Sequence, residues 1–201
     1  MELLLIRHAE PVRIEDAEGP ADPTLHERGL TQAQRLAEYL ADETLQGLFS
    51  SPMWRALETA APVAASHNLP VVLDDELAEF DREATSYIPV EELRATKDER
   101  WLAMVEGRLD DFDRDPVEFQ QGVVAAVERV IDANAGRKVA IVCHGGVINA
   151  YVGHILGIDK LMWFEPAYTS IHRVAASRSG VRSVASLNET AHLRGTGLLL
   201  T

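Results

Sequence analysis

The sequence predicts an α/β fold of three layers, in which helices cover both faces of a mostly parallel central sheet. Short apolar runs that predict strands alternate along the chain with amphipathic stretches of helical periodicity. The run at 139–143 is continuous and apolar, which is typical of a strand buried on both faces. A histidine closely follows two of these runs. Open α/β sheets bind ligands at such strand ends, so function is expected at that edge of the sheet.

The first half of the chain predicts three strands and two helices in alternation. A short strand is expected at 3–6, followed by a loop at 11–28 that is rich in Pro, Gly and acidic residues. Thr31 is expected to cap a helix that runs to about Leu40. The elements expected next are a strand at 47–50, a helix that Ser51 caps and Pro52 begins, and a strand at 69–73.

Residues 74–115 interrupt this alternation with dense Asp, Glu and Arg and with short helical patches near 90–95 and 97–106. We interpret this segment as an insertion or lid within a single domain that spans residues 1–201. The elements expected after it are a helix from Pro116 to about Asn134, a strand at 138–143, a helix at about 147–156, and closing strands at 169–175 and 181–187.

Composition narrows the class of protein. The 201 residues, with 46% apolar and 25% charged residues, are typical of a globular domain. A net charge of −13 argues against non-specific binding to nucleic acid or to an anionic membrane. Cys143 is the only cysteine, so no intrachain disulfide can form, which favours a cytoplasmic location. The N-terminal segment does not match a signal peptide, and no stretch is long and apolar enough for a membrane span.

Basic side chains are expected to converge at the functional edge of the sheet. His8 and His144 each follow a predicted central strand, and Arg7 adjoins His8. Arg55 lies near the start of a predicted helix, where free backbone N–H groups add partial positive charge. Gly145 lets the backbone approach a ligand closely beside another helix start. Two imidazoles, two guanidinium groups and two helix N-termini suit a phosphoryl group, whose charge is spread over several oxygens.

Elimination leaves His8 as the nucleophile. Cys143 lies inside a predicted strand, and the chain contains no Gly-rich nucleotide-binding loop of the GxxxxGK[ST] type. Aspartates do not cluster at the strand ends, so no metal site is expected there. A neutral imidazole can attack phosphorus directly and form a phosphohistidine.

Four segments of the chain resemble the histidine phosphatase superfamily, which has a phosphoglycerate mutase-like fold. The segments are Leu-Ile-Arg-His-Ala-Glu at 5–10, Leu-His-Glu-Arg-Gly-Leu-Thr-Gln-Ala at 25–33, Ser-Ser-Pro-Met-Trp-Arg-Ala-Leu-Glu-Thr-Ala at 50–60 and Val-Cys-His-Gly-Gly at 142–146. The resemblance covers residues 1–79 and 138–157 and is weak across 80–115. Each motif is short, but their order, spacing and position at strand ends make the set specific.

The resemblance implies a role for each matched residue. His8 would carry the phosphoryl group. The residues that would bind and neutralise its oxygens are Arg7, Arg55 and His144, with Gly145 beside them. Glu79, in a Leu-Ala-Glu setting, would be the general acid. Asp81 is the alternative, because the residues after Glu79 depart from the mutase pattern. The arginines would supply the electrostatic stabilisation, so no metal or other cofactor is expected.

The activity implied is that of a metal-independent, histidine acid-type phosphatase, a phosphoric monoester hydrolase. One alternative is a phosphoglycerate mutase-type phosphotransferase, and another, from a different class, is a catalytically inactive phosphate-binding or adaptor domain. The full set of basic residues argues against the inactive domain, and the pattern after Glu79 argues against the mutase.

The expected partner is a small phosphorylated metabolite or other phosphate ester, with no nucleic acid and no membrane. Specificity is expected to come from 11–28 and 80–115. Four cations could each recognise a second anionic group on the substrate or simply face solvent, and they are Arg13, Arg82, Arg94 and Lys97. The length of the chain also leaves a homodimer open.

Overall fold

The computed structural model describes residues 1–108 and 115–199, and the strands in this part of the chain form one mixed sheet. Its strands are β1 (Glu2–Arg7), β2 (Leu48–Ser50), β3 (Val71–Leu73), β4 (Lys138–Cys143), β5 (Ile171–Ala176) and β6 (Arg182–Glu189). Their order across the sheet is β3-β2-β4-β1-β5-β6. The pairs β1–β4, β2–β4 and β2–β3 are parallel, and β5 runs against its neighbours β1 and β6.

Helices cover both faces of this sheet. They are α1 (Glu27–Leu40), α2 (Trp54–His67), α3 (Val90–Thr96), α4 (Glu99–Glu106), α5 (Pro116–Ala133) and α6 (Gly145–Leu156). Side chains of a strand alternate between faces. Accordingly Leu3 and Leu5 of β1 pack in the core that includes α5 and α6, whereas Leu4 and Ile6 pack in the core of α1 and α2. The predicted three-layer α/β/α fold is confirmed.

Two helices begin at other residues than expected. The prediction that Thr31 caps α1 is wrong, because His26 precedes the helix and its side chain accepts the Arg28 N–H at 3.2 Å. Thr31 lies inside the helix and donates to the Glu27 carbonyl. Ser51 and Pro52 likewise precede α2, which begins after Met53. The sequence offers several capping side chains, and the packing of the whole helix decides between them.

Three further boundaries differ from the expectation. β3 is shorter than expected, because Asn68, with a φ of 52°, ends α2 in the left-handed conformation and the Leu69 N–H donates to the Ala64 carbonyl of that helix rather than to the sheet. β5 begins after Thr169, whose φ of 56° is incompatible with a strand. α6 begins at Gly145, so the two glycines after His144 lie in its first turn. This places an N-terminal turn directly beside the histidine.

The segment interpreted as a lid contains α3, α4 and a short 3₁₀ turn at Asp75–Leu77. Its residues 109–114 lie outside the described part of the chain. The segment pairs with the loop at 11–28, since Ile14 and Tyr87 exchange backbone hydrogen bonds of 3.0 and 2.8 Å. The single-domain assignment and the function of this segment as a lid stay predictions. Within 1–108 and 115–199, no helix has the length and apolar character that crossing a membrane requires.

We expect Ile141→Ala to lower the free energy of unfolding by about 2–5 kcal/mol. Ile141 is fully buried in the central strand β4, so its truncation leaves a cavity that the neighbours cannot fill. The measurement is chemical denaturation beside Val72→Ala, a matched control on the edge strand β3, where the side chain is 48% exposed. Val72→Ala should change stability by less than about 0.5 kcal/mol. Equal effects of the two changes would contradict the assigned core.

Candidate active site

Two histidines meet at the carboxyl ends of the central strands. β1 and β4 pair in parallel with Arg7 opposite Cys143, so His8 and His144 are each the next residue along. The His8 N–H donates to the Cys143 carbonyl at 2.9 Å, which fixes the chain just beyond β1. The two imidazole centroids lie 5.1 Å apart. The structure therefore brings together the two histidines that the sequence placed at separate strand ends.

Arg55 enters this site from the first turn of α2. Its side chain is fully buried and stacks over the ring of Tyr87, with 4.7 Å between the guanidinium carbon and the ring centroid. Its Nη2 donates to Asp81 Oδ1 at 3.0 Å. Thr59, one turn further along, accepts the Ala9 N–H and donates to the Arg55 carbonyl. This hydroxyl ties α2 to the segment that carries the first histidine.

Arg7, the residue before His8, is also buried. Its guanidinium carbon lies 4.1 Å from the ring centroid of Tyr168, and its Nη1 donates to the Pro166 carbonyl. Glu91 of α3 lies 3.6 Å from the same nitrogen and accepts a hydrogen bond from the Tyr168 hydroxyl. Each arginine thus packs against one aromatic ring, Arg7 on Tyr168 and Arg55 on Tyr87, which restricts the movement of both guanidinium groups.

Several buried nitrogen atoms of this cluster have no hydrogen-bond partner among the described residues. They are Nε of Arg7, Nε and Nη1 of Arg55, and Nδ1 of His144. A buried donor without a partner costs roughly 1–3 kcal/mol, and more when it is charged. Such donors are rare in folded proteins unless a ligand, an ion or water satisfies them. Their concentration around His8 indicates a site built to receive an anion with several oxygens.

Hydrogen bonds define which nitrogen of each imidazole carries the proton. Nδ1 of His8 lies 2.8 Å from the Ala9 carbonyl, which can only accept, so Nδ1 is protonated and Nε2 keeps its lone pair. His144 Nε2 lies 2.7 Å from the Ser51 hydroxyl, and that oxygen already accepts the Met53 N–H. Among the described residues Nε2 is the acceptor within reach of the Ser51 hydroxyl hydrogen, so we assign this hydroxyl as the donor and Nδ1 of His144 as the protonated nitrogen, which has no hydrogen-bond partner.

Both histidines are held in the neutral form. Burial lowers the pKa of His8 well below its usual value, and the nearby charges of Arg55 and Arg7 lower it further. The same causes lower the pKa of His144. A neutral His8 with an unprotonated Nε2 has the electron pair that a nucleophile needs.

Glu79 lies in the loop after β3 and is 7% exposed. Its Oε2 accepts the Gly146 N–H at 2.7 Å, at the start of α6. Any side chain at position 146 would clash here, since a Cβ would lie 2.2 Å from Glu79 Oε1. Burial is the largest cause that raises the pKa of Glu79 to about 7, and the negative charge of Asp81 adds to it. The carboxyl can therefore both give and take a proton near neutral pH.

Asp81, the alternative acid, occupies a different environment. Its carboxylate forms an ion pair with Arg55, and its side chain is 26% exposed. The Asp81 carboxylate is thus tied to Arg55, whereas the hydrogen bonds of Glu79 among the described residues come from the backbone N–H groups of Phe80 and Gly146.

Several residues that contact the site were not predicted to do so, and four of them touch its histidines or arginines with an aromatic ring, a carboxylate or a hydroxyl. Tyr87 and Tyr168 stack on the arginines, Glu91 faces Arg7, and Ser51, expected as a helix cap, bonds His144 instead. A lone tyrosine or glutamate in a polar segment carries no sequence signal for such a contact. Of these residues the sequence singled out only Ser51, and it did so as a helix cap rather than as a partner of His144.

The chain is an α/β protein whose central strands end at a candidate anion-binding site, formed by clustered buried cations and a histidine with a free lone pair. The chain belongs to the histidine phosphatase superfamily (branch 1), whose family model matches residues 3–190. The family that the four sequence segments predicted is thus confirmed.

Two curated relatives are similar over most of the chain. Phosphoserine phosphatase 1 of Hydrogenobacter thermophilus is 30% identical over 205 residues, which cover 96% of this chain and 94% of that protein. A probable phosphoglycerate mutase, GpmB, of Yersinia pestis is 24% identical and covers 79% and 76% of the two chains. A solved structure of a phosphoserine phosphatase mutant from Entamoeba histolytica, in complex with phosphoserine, superposes with a TM-score of 0.75. The superposition covers 96% of this chain and 98% of that one at 23% identity, which shows the shared fold. Family membership and the phosphatase relative together support a phosphatase.

Proposed function

We propose that this chain is a metal-independent phosphatase that hydrolyses a small phosphate monoester through a phosphohistidine on His8. The observation that carries the proposal is the set of buried donors that have no hydrogen-bond partner among the described residues, around an imidazole whose Nε2 is unprotonated. A phosphoryl group would satisfy those donors and would meet the nucleophile at the same place. The histidine acid-type subclass, the cytoplasmic location and the homodimer stay predictions.

The first chemical step transfers the phosphoryl group to the enzyme. The lone pair of His8 Nε2 forms a bond to phosphorus, and the bond from phosphorus to the ester oxygen breaks. Glu79 gives its proton to the departing alkoxide, which leaves as an alcohol. Arg7, Arg55 and Nδ1–H of His144 hold the phosphoryl oxygens, whose charge they stabilise in the transition state.

The second step returns the enzyme to its starting state. Glu79, now a carboxylate, takes a proton from a water molecule as that water attacks phosphorus. The bond between phosphorus and His8 Nε2 breaks, and inorganic phosphate leaves. Both steps need a carboxyl group that changes its protonation state near neutral pH, which fits the raised pKa of about 7 for Glu79.

This mechanism predicts an alkaline loss of activity that depends on the leaving group. Glu79 must be protonated in the first step, so kcat/KM for an alkyl phosphate should fall as pH rises through about 7. The pKa of His8 is lowered, so its protonation should reduce the rate only at a more acidic pH. For a nitrophenyl phosphate, whose leaving group needs no proton, the alkaline fall should be much weaker. An equal fall for both substrates would argue against Glu79 as the acid.

The direct test is release of inorganic phosphate from phosphoserine, 3-phosphoglycerate and a nitrophenyl phosphate by the purified chain. We expect phosphate release that a metal chelator leaves unchanged. Transfer of phosphate between phosphoglycerates with little hydrolysis would instead identify the phosphotransferase. Binding of phosphate with no turnover of any ester would identify the inactive phosphate-binding domain, and loss of the rate in chelator would refute metal independence.

A further inference from the structure

A cavity of about 450 Å³ opens beside the proposed phosphate site. Arg7, Asp81 and Gly145 line its inner end, and these residues border His8, Arg55 and His144 respectively. The volume suits a small organic group, since ligand pockets span roughly 300–1,000 Å³. A phosphate ester with its phosphoryl group at His8 would therefore place its alcohol portion in this cavity.

One wall of the cavity is the helix α4. Trp101, Met104 and Val105 line it, at the i, i+3 and i+4 spacing that puts side chains on one face of a helix. α4 is amphipathic, yet none of its residues is fully buried in the structure. Its apolar side chains thus line the cavity while staying at least partly accessible in the structure.

A second apolar part of the lining is formed by Met162, Trp163 and Phe164. Asn149 of α6 holds this segment, because its Oδ1 accepts the N–H groups of Trp163 and Phe164 at 3.1 and 3.0 Å. Its Nδ2 donates to the carbonyls of Phe164 and Gly145. The Trp163 indole N–H also donates to the backbone of Asn149, so the polar atom of that ring is satisfied. The apolar wall is therefore fixed to the same helix turn that borders His144.

The charged residues around the cavity already have partners. The three cations at its rim are all exposed, and they pair as Arg100 with Asp98, Arg108 with Glu106, and Lys160 with the Val105 carbonyl. The carboxylates that line it pair as Asp81 with Arg55 and Glu165 with Arg94.

The cations that the sequence offered for a second anionic group are not part of this cavity. Arg13 and Arg82 form ion pairs with glutamates. Neither they nor Arg94 and Lys97 line the cavity.

We propose that the cavity selects phosphate monoesters whose alcohol carries an apolar or aromatic group, rather than charged esters such as phosphoserine. The inference rests on the proposed phosphatase function and adds the class of its substrate. The two apolar parts of the lining would bury such a group. A free ammonium or carboxylate would lose water there, and a carboxylate would meet only rim cations that are exposed and already hydrogen-bonded to other groups.

The test compares three primary alkyl phosphates, so that all have alkoxide leaving groups of the same type. We expect kcat/KM for 2-phenylethyl phosphate to exceed that for ethyl phosphate and for phosphoserine by at least about tenfold. A preference for phosphoserine, or equal values for the three esters, would overturn the apolar specificity while leaving the phosphatase function intact. Absence of phosphate release from these esters and from a nitrophenyl phosphate would instead refute the phosphatase function itself.

Variants of residues in α4 test whether the cavity is the source of the preference for an apolar alcohol portion. Trp101→Ala should reduce the ratio of kcat/KM for 2-phenylethyl phosphate to that for ethyl phosphate by about tenfold, and Trp101→Phe should restore most of it. Leu102→Ala is the matched control, because Leu102 is 38% exposed on the same helix and does not line the cavity. If Leu102→Ala lowers the ratio as much as Trp101→Ala, or if neither changes it, the cavity does not bind the alcohol portion.

Discussion

Replacing His8 with alanine is expected to lower kcat/KM for any phosphate ester by about 10⁴-fold or more, because it removes the nucleophile itself. The arginines and His144 remain, so the variant should still bind inorganic phosphate. The two measurements are phosphate release as a function of substrate concentration and binding of phosphate by calorimetry. Loss of turnover with retained binding is the combination that identifies a nucleophile rather than a binding residue.

His154→Ala is the matched control for this variant. His154 is an exposed histidine in the last turn of α6, away from the strand ends. Its replacement should leave kcat/KM within about twofold, as expected for a surface change. A rate for His8→Ala that stays within tenfold of the unaltered protein would mean that another group attacks phosphorus.

Glu79→Gln should lower kcat/KM for an alkyl phosphate by about 10²–10⁴-fold, since it removes the proton that the alkoxide needs while keeping the side chain's shape. For a nitrophenyl phosphate, the rate of the first step, transfer of the phosphoryl group to the enzyme, should fall much less. A rapid-mixing measurement of nitrophenol release separates that first step from hydrolysis. With this substrate we expect a burst of nitrophenol followed by a slow steady rate, because Glu79 is also needed to activate water.

Asp81→Asn distinguishes the two candidate acids. Asp81 forms an ion pair with Arg55, so its loss should mainly change KM through the altered position and charge of that arginine. We therefore expect a smaller effect on kcat than for Glu79→Gln and no dependence on the leaving group. If the leaving-group dependence follows Asp81→Asn instead, Asp81 is the general acid.

The fold and the centre of the site were predictable because their signals are local or periodic. The apolar run of β4 followed at once by His144 places that side chain at a strand end, whatever the rest of the chain does. The same holds for β1 and His8. Arg55 was predictable because a Ser-Pro pair marks the approach to its helix, even though α2 begins two residues after the proline.

Other parts of the site depend on contacts between distant segments, which the sequence does not encode in any short pattern. Tyr168 and Glu91 are 77 positions apart, yet they share a hydrogen bond beside Arg7. The apolar spacing along α4 can be read in the sequence. Which residues join α4 in lining the cavity depends on the position in which Asn149 holds residues 162–164. The choice between Glu79 and Asp81 likewise needed their burial and partners, since both lie in one acidic stretch.

The most direct test of the account is to trap the phosphoryl enzyme. The chain is mixed with a radiolabelled nitrophenyl phosphate, quenched rapidly in alkaline denaturant, and the labelled peptide is identified by mass spectrometry. The account predicts a label on His8 that is stable to alkali and lost in acid, as expected for a phosphohistidine, and that is absent from His8→Ala. Turnover with no labelled protein, or with the label on any other residue, would contradict it.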